Sequence, residues 1–191
     1  MLAQALYFVL ETLLGLLSLA LLLRFYLQLT GAPFHNPISQ AVVAITNFIV
    51  RPTRRIVPSI AGLDISTLLL AYIAQFLLRF AGLWLDGYPV AVAAGTVYAA
   101  LLGLAAVSVL RMSVYIFLYA IIIQAVLSWI NPYNPATQVL DSLARPFLNP
   151  VRRLVKPMGG LDLSPLVVFI VAQLVLMLVL APIESQLSVL L

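Results

Sequence analysis

The charged residues of this chain are few, and six of them form two copies of one pattern. In each copy an arginine pair is followed about ten residues later by an aspartate. The members are Arg54, Arg55 and Asp64 in the first copy and Arg152, Arg153 and Asp162 in the second. Guanidinium groups could bind anionic lipid headgroups or the acidic groups of a partner protein. The aspartate could instead contact the arginines across a turn or cap the helix that follows, and both readings stay open.

A second set of polar residues lies inside apolar sequence, where such side chains are costly and often functional. They are Glu11, Gln75, Arg79, Arg111 and Gln173. Glu11 and the two arginines fall ~22–30 Å from the basic loops at 1.5 Å per residue, so they could pair in a bundle or snorkel outward. The two glutamines are predicted to form interhelical hydrogen bonds, with a permeation path as the alternative.

Enzymatic chemistry is not expected. The chain has one histidine, His35, and no cysteine. It also lacks the Gly-x-Ser-x-Gly, P-loop and Gly-x-Gly-x-x-Gly motifs. The six acidic residues stand mostly at predicted helix ends, which leaves few groups for acid–base work. We therefore expect no catalytic residue, no metal and no cofactor.

The composition is that of a membrane protein. Hydrophobic residues make up 64% of the chain and charged residues 8%, against about a quarter in soluble domains. Most of the basic residues cluster in two short loops, a pattern that reports membrane topology, so nucleic acid is not an expected partner. The N-terminus lacks a basic region and a cleavage site, which favours a retained first helix over a signal peptide.

The chain repeats itself at an offset of 98 residues without a gap. Asn36-Pro37 recurs as Asn134-Pro135, and the Gly62–Ser66 segment recurs as Gly160–Ser164. Such self-similarity indicates a tandem duplication. The predicted domains are therefore 1–86 and 87–191.

We predict an all-α integral membrane protein with four transmembrane helices in two parallel repeats. The apolar runs place the spans at about 5–29 and 65–84 in the first repeat and at about 103–130 and 165–181 in the second. Segment 90–102 is an addition to the second repeat, either a helical extension or an interfacial helix. Arg24, near the end of the first span, is expected to snorkel to the interface.

Each repeat should carry a short amphipathic or re-entrant helix in the loop between its spans. In the first, the polar stripe is Gln40, Asn47 and Arg51; in the second it is Gln138, Asp141, Arg145 and Asn149. Pro52, Pro146 and Pro150 are expected to break these helices before the arginine pairs. Ser164 followed by Pro165 fits the start of the last span.

The basic residues fix the predicted orientation. Two spans per repeat place both loops on one side, and only Asp86 is charged in the turn between repeats. The loop cations are Arg51, Arg54, Arg55, Arg145, Arg152, Arg153 and Lys156. Because cytoplasmic loops carry the excess of Lys and Arg, both loops should face the cytoplasm and both termini the periplasm of a bacterial inner membrane.

The repeated signature Asn-Pro…Pro-x-Arg-Arg…Gly-Leu-Asp-(Leu/Ile)-Ser resembles that of the YggT family of bacterial inner-membrane proteins, whose YlmG and plastid relatives carry one copy. The likeness covers nearly the whole chain. The first copy departs from it at Thr67, where the second has the usual Pro165, and at Gly31-Ala32, which replaces Trp129-Ile130. The resemblance implies a membrane protein without established catalysis, linked to osmotic stress, cell division and, in plastids, cytochrome assembly and nucleoid distribution.

Two functions remain after this reasoning. The first is a non-enzymatic scaffold or assembly factor, whose loops meet anionic lipid or another membrane or cytoplasmic protein. The alternative is a small channel or transport protein in ion or osmotic homeostasis. A homo-oligomer is also expected from a stripe of small residues, with packing on the chain's own first helix at Gly15 and Ser18 as the alternative. The stripe is Ala91, Gly95, Ala99 and Gly103.

Overall fold

The computed structural model describes residues 1–59, 62–90, 95–131, 134–155 and 162–191, and these form helices joined by short turns. The helices are α1 (Leu2–Leu29), α2 (Pro37–Thr53), α3 (Ile65–Leu85), α4 (Gly95–Ile130), α5 (Pro135–Leu154), α6 (Ser164–Val175) and α7 (Ala181–Ser188). A π-helical turn, Leu176–Leu180, joins α6 to α7. Lys156, Ala91 and the Gly160-Leu161 pair of the second motif, all used in the sequence predictions, lie outside the described residues.

Four helices of the described residues are long and apolar enough to cross a membrane. They are α1, α3, α4 and the continuous helix Ser164–Ser188, which confirms the predicted fold class. Helix α4 runs unbroken for 36 residues. Its part from 95 to 102 is therefore a helical extension of the third span.

The last span is longer than predicted, because the helix does not stop near 181 but continues to Ser188. Pro182 stands two residues after the end of the π-helical turn. A proline inside a helix removes one hydrogen bond and crowds the carbonyl four residues earlier, and a π turn relieves that strain. The extra turns carry Glu184 into the helix bundle.

The amphipathic loop helices are α2 and α5, and the repeated Asn-Pro dipeptide starts both of them. The Asn36 side chain accepts a hydrogen bond from the Ile38 amide at 3.0 Å, and that of Asn134 from the Ala136 amide at 2.9 Å. The proline that follows occupies the first turn, where it needs no N–H donor. The motif is thus a helix N-cap in each repeat.

The expectation that prolines end these helices before the arginine pairs is confirmed for α2, which ends at Thr53, directly after Pro52. It was wrong for α5, which continues through Pro146 and Pro150, so that Arg152 and Arg153 lie in its last turn. One face of each helix is buried. The buried residues are Ser39, Val42, Thr46 and Val50 in α2 and Val139, Leu143, Ala144 and Leu148 in α5. We attribute the continuation to this packing, since tertiary burial routinely overrides local propensity.

The two loop helices meet at one end of the bundle. Val42 of α2 and Val139 of α5 share a core cluster with Leu27 of α1 and Ala120 of α4. The Asn36 amide group donates a hydrogen bond to the Pro135 carbonyl at 2.7 Å, which joins the two motifs directly. Both loops therefore lie on the same side of the spans.

Candidate functional site

In the first repeat the arginine–aspartate contact closes the loop between α2 and α3. Arg54 Nε donates to Asp64 Oδ2 at 3.0 Å, and the Asp64 side chain is only 1% exposed. Around it, Ser66 donates to the Val57 carbonyl at 2.7 Å, and Gly62 adopts a positive φ of 79° that favours glycine. The loop is thus held by a buried carboxylate and by backbone contacts.

Arg24 belongs to this cluster, so the expectation that it snorkels to the interface was wrong. It is buried, and its guanidinium donates to Thr46 at 2.8 Å and to Asn47 at 3.0 Å, both on α2. Its Nε lies 4.0 Å from Asp64 Oδ2. Two cations therefore face one buried carboxylate, which is how a charge in the interior is stabilised.

In the second repeat the same contact lies at the surface. Arg152 Nε donates to Asp162 Oδ2 at 2.8 Å, and the Asp162 side chain is 39% exposed. Asp162 Oδ1 also accepts from the Ser164 amide at 2.9 Å, at the start of α6. Contact and capping, which the sequence left as alternatives, occur together here.

The pKa of Asp162 lies below its ordinary value. Burial alone would raise the pKa, but the hydrogen bonds from Ser164 and the charge and hydrogen bond of Arg152 outweigh it. Because the pKa is lower in the fold than in the unfolded chain, this stabilisation is present above the unfolded pKa. It is lost as pH falls through the folded value.

The repeat explains the difference between the loops. The positions equivalent to Arg24 and Thr46 are Ile122 and Ala144, which cannot hydrogen-bond or supply a second cation. Without a second cation, a carboxylate is more stable near water than in the interior. Asp162 accordingly stays at the surface, whereas Asp64 is buried.

The other arginine of each pair points outward. Arg55 and Arg153 are exposed, as is Arg51 before the first pair, and no salt bridge within the described residues engages these three. Each pair is followed by an exposed aliphatic residue, Ile56 at 83% and Leu154 at 85%. A cation beside an exposed aliphatic chain suits a membrane interface or an amphipathic partner. We call Arg55, Ile56, Arg153 and Leu154 the loop face.

At the far end of the bundle, the predicted pairing of Arg79 and Arg111 occurs, but its carboxylate is Glu184 rather than Glu11. Arg79 donates to Glu184 Oε1 at 2.9 Å, and Arg111 donates to Glu184 Oε2. Arg79 also contacts Ser108 at 2.8 Å. The sequence did not indicate Glu184, because the predicted fourth span ends at about residue 181, before this glutamate.

The other intramembrane candidates separate. Glu11 and Gln75 line a cavity of about 300 Å³ together with Arg79 and Arg111, whereas Gln173 is exposed on α6 and lies outside this cavity. The predicted interhelical hydrogen bonds of the two glutamines are not observed among the described residues.

The described members of the small-residue stripe have different surroundings. A Cβ added to Gly103 would lie 2.9 Å from Leu187 Cδ1, so this glycine packs against α7 of its own chain. Gly95 and Ala99 are exposed. The close neighbour of Gly103 is therefore α7 and not the first helix, and association through the exposed Gly95 and Ala99 stays a prediction.

The sequence identified Asn36 only as part of the repeated motif and not as a helix cap, although Asn before Pro is a recognised cap signal. We expect Asn36→Ala to lower the free energy of unfolding by about 2 kcal/mol, since it loses the cap and the bond to Pro135. Asn134→Ala loses only the cap and should cost about 1 kcal/mol. Unfolding of both variants in one detergent measures the difference, and equal losses would contradict a bridging role for Asn36.

The family model described as CCB3/YggT matches residues 3–85 and 103–183 of this chain. An uncharacterised protein of Pseudomonas aeruginosa is 38% identical over 174 residues, covering 90% of this chain and 86% of that protein. The uncharacterised protein YggT of Escherichia coli K12 is 31% identical over 166 residues, covering 86% and 83%. No solved structure matches the chain significantly. The chain therefore belongs to the CCB3/YggT family.

Proposed function

We propose that this protein is a non-enzymatic scaffold or assembly factor of the bacterial inner membrane, and that the loop face is its binding surface. The observation that carries the proposal is the equivalence of the two loops. In both, the first arginine of the pair contacts an aspartate, while the second arginine and the next aliphatic side chain are exposed. One surface presented twice, at one end of the bundle, suits a docking platform.

The charge of the loops supports a cytoplasmic orientation and an anionic partner. Each basic residue near an anionic membrane surface contributes roughly 1 kcal/mol, and the exposed aliphatic neighbours add apolar contact. The partner is accordingly an acidic protein surface or a patch of anionic lipid headgroups. The same proposal includes a role in osmotic stress, cell division or membrane-complex assembly, as the family resemblance implies.

The test compares the two arginines of each pair. Arg55→Gln with Arg153→Gln removes two exposed cations, so affinity for the partner or for anionic lipid should fall roughly 30-fold, about 2 kcal/mol, with an unchanged melting temperature. The matched control, Arg54→Gln with Arg152→Gln, opens both loops and should lower the melting temperature.

Native purification in nanodiscs, with retained lipids and co-purifying proteins measured by mass spectrometry, gives the readout. Identical lipid and partner profiles for wild type and the Arg55/Arg153 variant would show that the loop face is not the binding surface.

The alternative, a small channel or transport protein, is favoured by one observation. Glu11, Gln75, Arg79 and Arg111 line a common cavity. Two observations argue against it: Gln173 lies outside this cavity, and Glu184 forms salt bridges with both Arg79 and Arg111. Ion flux through reconstituted liposomes that is abolished by Gln75→Leu, with the fold intact, would favour transport over the scaffold.

A further inference from the structure

Gln173 is a polar side chain that this fold leaves facing outward from an apolar span. It lies on α6 within Ser164–Ser188, the most apolar and least buried of the four spans. The side chains of this span that form hydrogen bonds are Glu184, Ser185 and Ser188, and none within the described residues involves Gln173. An amide facing hydrocarbon without a partner costs several kcal/mol. A hydrogen-bonding neighbour from outside the chain would remove that cost.

The first repeat shows how the equivalent glutamine is covered. Gln75, 98 residues earlier, is only 4% exposed, because its helix α3 is flanked by both α1 and α4. Helix α6 packs against α4 and α5 instead, with no comparable contact to α1. Of two equivalent spans, one has a spanning helix on each side and the other has one only. The open side of α6 matches a side that is covered in the first repeat.

We infer that a second copy of this chain covers it, as a two-fold symmetric dimer in which α6 faces α6 of the partner subunit. An amide both donates and accepts, so two Gln173 side chains across a two-fold axis satisfy each other reciprocally. Copies inserted in the same orientation place this residue at the same depth, ~14 Å beyond the start of α6 at 1.5 Å per residue. An unrelated partner would need its own polar group at that depth.

The surface around Gln173 fits a helix–helix contact. Leu166, Phe169 and Ile170 are exposed and stand seven, four and three residues before it, hence on the same face of α6. Met177, in the π-helical turn that follows, is exposed four residues beyond it. In lipid such a face associates through dispersion contacts and interhelical hydrogen bonds. The dimer surface is thus an apolar face with an amide at its centre, distinct from the small-residue stripe.

Disulfide cross-linking tests the position of the interface. Because the chain has no native cysteine, only the introduced cysteines can form disulfides. Ile170→Cys and Met177→Cys, oxidised in native membranes, should each give a product of twice the monomer mass. Leu77→Cys, exposed on α3, is the control and should stay monomeric. A cross-linked product of another mass, equal dimer from Leu77→Cys, or no dimer at positions 170 and 177 would overturn the inference.

The amide is tested by two substitutions at one position. Gln173→Leu keeps an apolar side chain but removes the hydrogen bonds, and should weaken dimerisation about tenfold. Gln173→Asn retains donor and acceptor and should dimerise more strongly than the leucine variant. Native mass spectrometry in nanodiscs gives the dimer fraction, and thermal unfolding of the monomer checks the fold. A leucine variant that dimerises like wild type, or a monomeric wild type, would refute the paired glutamines.

Discussion

Glu184→Gln should lower the free energy of unfolding by about 3 kcal/mol, one of the two largest effects expected in this chain. Glu184 is the carboxylate that joins Arg79 of α3 to Arg111 of α4. Its loss leaves two guanidinium groups in the bundle without a counter-charge, and an uncompensated charge is far more destabilising than a missing ion pair. Titration with SDS in mixed micelles measures the change.

Glu11→Gln is the control for this prediction, because Glu11 lines the neighbouring cavity but forms no salt bridge in the described structure. It should change stability by less than about 1 kcal/mol. Replacing Arg79, Arg111 and Glu184 together by Met should restore most of the loss, since a whole partly buried ion cluster can be exchanged for apolar groups. Equal losses for Glu184→Gln and Glu11→Gln would show that the cluster does not hold the helices together.

Asp64→Asn should lower the free energy of unfolding by a similar amount, about 3 kcal/mol, because it leaves buried Arg24 without its nearby carboxylate. The repeat supplies the matched control. Asp162→Asn removes the same group from the same motif, but at the surface, where an ion pair contributes at most about 1 kcal/mol.

Unfolding of the two asparagine variants under identical conditions measures the contrast between repeats. Similar losses at positions 64 and 162 would mean that the burial of Asp64 does not matter for stability.

The sequence was informative where one physical signal decided the outcome. Long apolar runs predicted the four spans, and the 98-residue offset predicted equivalent loops. The spacing of Arg54 from Asp64, repeated at Arg152 and Asp162, suggested contacts that the structure contains. Asp141 and Arg145, four residues apart on α5, also pair at 2.7 Å.

It failed where the outcome depended on which elements pack together. In the sequence, Arg24 stands near the end of an apolar span, where arginines commonly reach the membrane interface. Only its contacts with Thr46 and Asn47 of α2 show that it is buried. Glu184 follows Pro182, which looks like a helix end unless a π turn accommodates it. Asp64 and Asp162 are unequally buried because the second repeat has Ile122 and Ala144 where the first has Arg24 and Thr46. Only the contacts in the structure show that these positions matter.

The central claim is that both copies of the loop face lie on the cytoplasmic side. Because the chain has no cysteine, single substitutions Arg55→Cys, Arg153→Cys and Asp86→Cys can be labelled in intact spheroplasts with a membrane-impermeant maleimide. Asp86→Cys should react at once, whereas the two arginine positions should react only after the membrane is opened. Labelling of position 55 or 153 in intact spheroplasts, with position 86 protected, would contradict the account.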